Sequence, residues 1–110
     1  MSDEEIVAVL RQNSIKQGVA LEEFQTNAFN AIYAENERLL NELKSRPGDR
    51  RHALFDLYAS SNVQVRLNAA NWTYGLDAAR ARAALVEIRD SRRFPYAADA
   101  GLALSIIDMG

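Results

Sequence analysis

One stretch limits what this chain can fold into more than any other: Asn62 to Tyr74, which is apolar on nearly every side. Wound as a helix at about 100° per residue, Val65, Ala69, Trp72 and Leu76 fall on one side, and Val63, Leu67, Ala70 and Tyr74 on the other. Only Gln64, Asn68, Asn71 and Gly75 line up as a polar strip, at the spacing i, i+4, i+7, i+11. A surface helix has one apolar stripe, so a helix with two apolar faces needs neighbours on both sides. The stretch therefore predicts an inner helix in a stack of helices.

The flanking sequence supplies those neighbours. Residues 3 to about 20 read as a first helix, with Ser2 and Glu5 in capping-box positions and Asp3, Glu4 and Glu5 at the positive end of the helix dipole. Its stripe is Ile6, Val9, Leu10, Ala20 and Leu21, interrupted by Asn13 and Gln17. A second helix is predicted over Thr26 to Ser45, with Phe29, Ile32, Tyr33, Leu39, Leu40 and Leu43 on its apolar face. Asn36 shares that face and requires a hydrogen-bond partner there. Pro47-Gly48 ends the helix. Asp49 is placed to cap a third helix, Arg50 to Ser60, with the stripe Ala53, Leu54, Leu57 and Tyr58. After the central helix, Asp77 caps a fifth over Ala78 to Asp90, burying Ala81, Ala84, Leu85 and Ile88. Pro95 suits the first turn of a sixth, whose face is Tyr96, Ala100, Ala103, Leu104 and Ile107.

Shifted by 31 positions, residues 48–79 superpose on 79–110 with six identities in 32 pairs. Leu54 meets Leu85, Leu57 meets Ile88, and Ala69-Ala70 meets Ala100-Gly101. The matched positions keep helix–turn–helix phase, and a repeat near this length signals an α-solenoid. A chain of 110 residues is one domain by size. The expected layout over 1–110 is all-α: a long N-terminal helix pair over 1–46, one hairpin repeat over 49–76 and a second over 77–110.

Val65-Arg66 followed by Ala69-Ala70 resembles the second-helix signature of HEAT-like repeats, Val-Arg-x-x-Ala-Ala. Nearly the whole chain resembles a small prokaryotic HEAT-like family of unknown function, in which two longer helices precede two helical hairpins. The matching features are Asn30, Glu42-Leu43-Lys44, Val65-Arg66-Leu67-x-Ala69-Ala70 and Asp99-Ala100-Gly101-x-Ala103-Leu104. HEAT repeats often carry an aspartate in the turn before the Val-Arg pair, where this chain has Ser60 and Asn62. The resemblance implies a short α-α superhelix, a HEAT-like or ARM-like solenoid, and a bacterial origin. It implies no reaction.

Little in the chain points to chemistry. Without cysteine there is no disulfide framework, thiolate catalysis or Cys-ligated zinc. His52 is the single histidine, with Asp49 at i−3 and Asp56 at i+4, and no nucleophile motif accompanies it. The five glycines are scattered, so no phosphate loop exists. No catalytic, cofactor or metal site is expected. Arg66, inside an apolar helix, reads as a structural arginine with its head on turn carbonyls or an acid. Trp72 reads as core filling.

Partner binding is the remaining expectation. The net charge of −2 does not indicate a general affinity for nucleic acid, but residues 46–93 hold nine arginines against five acids. The group Arg80, Arg82, Arg89, Arg92 and Arg93 therefore carries an alternative reading as a nucleic-acid-binding patch. The leading expectation is a non-enzymatic scaffold for another protein, an immunity-type partner of a toxin being one form. The 31-residue shift sets Asp99 on Asn68, so Gln64, Asn68, Asn71 and Asp99 are predicted to share one accessible, partner-binding surface. The acidic start Met-Ser-Asp-Glu-Glu and the short apolar run Ile6 to Leu10 indicate neither signal peptide nor membrane span, and the expected location is cytoplasmic.

Overall fold

A computed structural model describes residues 1–109. They form five α-helices and one 3-10 helix, with no strand among them: α1 Asp3–Glu22, α2 Thr26–Ser45, the 3-10 helix Arg50–Ala59, α3 Val63–Thr73, α4 Ala78–Asp90 and α5 Tyr96–Met109.

Local chemistry accounts for the starts of four of these. Glu5 donates its N–H to Ser2 Oγ at 3.1 Å, while Ser2 N–H donates to Glu5 Oε1 at 3.0 Å, completing the capping box. Asn62 accepts from Val65 N–H at 3.1 Å and Asp77 from Arg80 N–H at 3.0 Å. Asp49 accepts from Arg51 N–H at 3.3 Å, from a left-handed backbone with φ 51°. At the base of the α1/α2 hairpin, Arg46 reaches Asp3 at 2.7 Å and Arg50 reaches the same carboxylate at 2.6 Å. The two guanidiniums, Arg50 first, hold the Asp3 carboxyl below the usual carboxylate range.

The third element is where helix periodicity and geometry part. It is a 3-10 helix with three residues per turn, so side chains at i and i+3 eclipse. His52, Phe55 and Tyr58 accordingly stack in a ladder, with centroids 5.9 and 6.0 Å apart. Leu54 and Leu57 form the neighbouring row and are both fully buried.

α3 is the inner helix, packed on the 3-10 helix, α4, α1 and α5. Its two apolar faces serve two separate cores. Val65 and Ala69, with Trp72 at the edge, join Ile6, Leu10, Leu39, Leu43, Leu54 and Leu57. Val63, Leu67 and Ala70, with Tyr74 at the edge, join Ala81, Leu85, Ile88, Ala100 and Leu104. Ala69 and Ala70 are both completely buried, and residues this small let neighbouring backbones approach on either side. Thr73 Oγ1, donating to Ala69 O at 2.7 Å, and Tyr58, whose hydroxyl bonds that same Oγ1 at 2.7 Å, tie the end of α3 to the 3-10 helix.

Candidate functional site

Three helix stripes turn toward one another and enclose an open groove of about 460 Å3. The floor is α3, through Gln64, Leu67, Asn68, Asn71 and Trp72 at i, i+3, i+4, i+7 and i+8. One wall is α2, through Phe29, Tyr33, Asn36 and Glu37; the other is α5, through Asp99, Leu102, Ala103 and Ile106. Each set has helical spacing, so each is one face of its helix. The walls stay apart because they are held by different neighbours. α2 packs on α1 and the 3-10 helix, whereas α5 packs on α4 and α3.

Beneath the groove lies a chain of buried amides. Gln64 Nε2 donates to Asn68 Oδ1 at 2.9 Å. Asn68 Nδ2 donates to Gln17 Oε1 at 2.8 Å and to Ser14 Oγ at 2.9 Å. Asn36 Nδ2 donates to the same Gln17 Oε1 at 3.1 Å. Asn13 Nδ2 donates to Asn36 Oδ1 at 3.1 Å and to the Glu35 carboxylate at 3.2 Å. The partner that Asn36 requires is thus supplied by Asn13 and Gln17, the residues that interrupt the stripe of α1. Such a network stabilises only when nearly complete, because a buried amide without partners loses its hydration uncompensated. Among the described residues one buried side-chain atom lacks a partner: Gln64 Oε1.

The groove brings together Gln64, Asn68, Asn71 and Asp99, but not as one accessible surface. Asn71 and Asp99 are exposed, whereas Gln64 and Asn68 are only 4% and 8% exposed. The cause is α1, which packs on α3 on this side and meets the polar strip with its own Ser14 and Gln17. Asp99 forms no ion pair or side-chain hydrogen bond among the described residues, and desolvation by its surroundings raises its carboxyl above the usual range. Asn68 and Asp99, equivalent under the 31-residue shift, therefore differ in burial; Leu54 and Leu85 are both fully buried.

The arginines are dispersed. Arg80 lies over the Phe55 and Tyr58 rings at 4.9 and 4.5 Å, a cation–π contact. Arg82 pairs with Asp108 at 3.1 Å and Arg89 with Asp90 at 3.0 Å. Arg92 and Arg93 are exposed in the turn after α4, past the end of the helix opposite to Arg80. None of the five lines the groove. Arg66 donates to Ser60 O at 2.9 Å, a turn carbonyl. His52 is exposed beside Phe55, while the Asp49 carboxylate is taken by Arg51 at 2.8 Å and held down at about 2 by that bond. Trp72 is half-buried, packed on the first core and facing the groove.

Sequence reasoning missed the apolar walls, chiefly Tyr33, Leu102 and Ile106. A signal for the last two exists. α5 carries only Asp99, Ser105 and Asp108 as polar side chains, so, like α3, it is apolar on more faces than one neighbour covers. Leu102 and Ile106 are the members of that surplus that stay exposed along the groove. Among the described residues, no group of three His, Cys, Asp or Glu side chains converges to hold a metal ion, and no helix is long and apolar enough to cross a membrane.

Comparison with known proteins places this architecture. No curated protein matches the chain. The crystal structure of the protein RPA1889 from Rhodopseudomonas palustris superposes with a TM-score of 0.96 at 37% sequence identity, covering 100% of this chain and 91% of that one. A family model described as a domain of unknown function, DUF2019, matches residues 4–108. With nearly every described residue inside that match, the chain belongs to the DUF2019 family.

Proposed function

We propose that this protein is a non-enzymatic binding module, a HEAT-like helical scaffold whose α2–α5 groove takes up a segment of a partner protein. The supporting observation is apolar wall left open over a hydrogen-bonded floor. Tyr33, Leu102 and Ile106 are 54%, 62% and 63% exposed along one groove. Clustered exposure of large apolar side chains marks interaction surfaces more often than isolated exposure does. The groove suits an amphipathic segment that lays its apolar face between the walls. Its lining holds amides, apolar groups, the Tyr33 phenol and two carboxylates, a set suited to recognition through hydrogen bonds and apolar contact.

The floor is held in place before any partner arrives, because Asn36, Gln17, Asn68 and Gln64 are hydrogen-bonded to one another. Preorganisation of this kind reduces the ordering cost of association.

Site-directed photo-crosslinking in the cell of origin tests the reading. A probe at Ile106 should capture one protein that a probe at Ala8, exposed on α1, does not. Leu102→Glu combined with Tyr33→Glu should abolish that capture with folding intact. Capture of nucleic acid at Ile106, or protein capture indifferent to the wall substitutions, would displace this reading.

A further inference from the structure

The groove also has a chemical polarity. Its titratable lining groups are Asp99 and Glu37 on opposite walls, together with the Tyr33 phenol, and no basic side chain lines it. Neither carboxylate forms an ion pair among the described residues, although six ion pairs occur elsewhere on the molecule. The floor has the same sense. Its one buried side-chain atom without a partner is an acceptor, Gln64 Oε1, on a residue only 4% exposed that itself lines the groove. An occupant that carries positive charge offsets the two carboxylates, and one that adds acceptors adds to the excess, while Gln64 Oε1 itself lies sealed beneath the floor. The groove also offers two aromatic faces, Trp72 on the floor and Tyr33 on the wall. A flat cation with several N–H groups matches such a set, since a guanidinium bonds carboxylates through its fork of donors and stacks on aromatic rings.

We propose that the groove recognises an arginine side chain of a partner protein, presented between apolar residues, with its guanidinium held by the unpaired carboxylates of Asp99 and Glu37. The apolar flanks lie on Leu102, Ile106 and Tyr33. This rests on the protein-binding reading and adds the chemistry of the recognised residue. Desolvation at Asp99, which raises its carboxyl above the usual range, is consistent with it, because a cation beside the carboxylate offsets that cost.

The test uses N-acetyl-arginine amide as the probe and N-acetyl-citrulline amide as its neutral counterpart of nearly the same shape. Binding to the full chain is followed through the side-chain amide resonances of Gln64, Asn68 and Asn71 and through the fluorescence of Trp72, the single tryptophan. The arginine probe should shift these signals and bind about tenfold or more tightly than the citrulline probe, the scale set by one charge-assisted pair. Asp99→Asn should remove most of that preference. Glu37→Gln should lower it in a variant outside the first turn of a helix, so a folding defect at Asp99 does not decide the result. Equal binding of the two probes, or no shift at these amides, overturns the proposal while leaving the apolar docking reading intact. Arginine selectivity in a protein whose photo-probe at Ile106 captures no partner overturns the protein source, and the occupant is then a free guanidinium compound.

Discussion

The two halves of α2 carry the same apolar pattern and meet different fates. In the C-terminal half, Leu39, Leu40 and Leu43 are buried against α1, the 3-10 helix and α3, and Asn36 is enclosed with them. In the N-terminal half, Phe29 and Ile32 are half-covered, and Tyr33 is 54% exposed on the groove. The base of the hairpin is closed by Asp3, Arg46 and Arg50, whereas the other end opens between α2 and α5. Periodicity thus tells which face of a helix is apolar, and tertiary packing decides whether that face becomes core or binding surface. In this protein the sealed half joins the first core, and the open half leaves Tyr33 exposed on the groove proposed as the binding surface.

Substitutions that act on stability alone should separate the halves most strongly. Leu43→Ala, on a fully buried residue, should cost about 2–5 kcal/mol in urea unfolding, the range for leucine truncation in tight cores. Leu54→Ala and Leu85→Ala, one in each core, should fall in the same range. A loss below about 0.5 kcal/mol at both of these, the level of ordinary surface change, would undo their pairing as equivalent inward positions.

Next in size is the boundary between the halves. Asn36→Ala leaves one N–H of Asn13 Nδ2 and one acceptor site of Gln17 Oε1 unmatched in the interior, with Asn13 keeping its bond to Glu35 and Gln17 its bond from Asn68. It should cost about 1–3 kcal/mol by unfolding, the penalty for unmatched buried polar groups. A neutral outcome would mean that the amide chain contributes nothing to the fold.

The ends of the molecule should also differ in pH response. The Asp49 carboxyl falls from 3.8 to about 2 through its bond to Arg51, and Asp3 is lowered by Arg50 and Arg46. A depressed folded value means the unfolded chain binds more protons, so stability rises with pH across this interval. The contribution is complete above the unfolded value and is lost as pH falls from about 4 toward about 2. Asp99, raised by desolvation, has the opposite sign: folding becomes more favourable as pH falls from its folded value toward the unfolded one. Unfolding midpoints measured from pH 6 to 2 should show Asp49→Asn flattening the acid limb. An unaltered limb would show that the Arg51 contact is open in solution.

The smallest stability effect belongs to the open half. Tyr33→Ala should change unfolding free energy by no more than about 0.5 kcal/mol, as expected for an exposed side chain away from caps and networks. The same substitution should weaken partner capture at Ile106. A large loss of stability would place Tyr33 in the core and erase the contrast between the halves.

Much of the architecture follows from the chain read one helix at a time. The two faces of α3 are legible because residues 63–74 have no polar side wide enough to meet solvent, and both faces were found in separate cores. The caps at Ser2, Asn62 and Asp77 are legible because capping acts within about one turn. Asn36 announces a need for a partner, since an amide on an apolar face must be satisfied. Its partners were not legible, because Asn13 and Gln17 lie 23 and 19 residues away and meet it only through the crossing of α1 and α2. Crossing geometry likewise buried Gln64 and Asn68, although their helix, projected alone, assigns them to solvent. The 3-10 geometry of residues 50–59 was hidden because the stripe Ala53, Leu54, Leu57 and Tyr58 fits a period of 3.6 as well as one of 3. The groove itself belongs entirely to the tertiary structure. Its faces on α2, α3 and α5 are local properties of sequence, but the space between them depends on how far apart other helices hold those walls, and no single-helix pattern contains that distance.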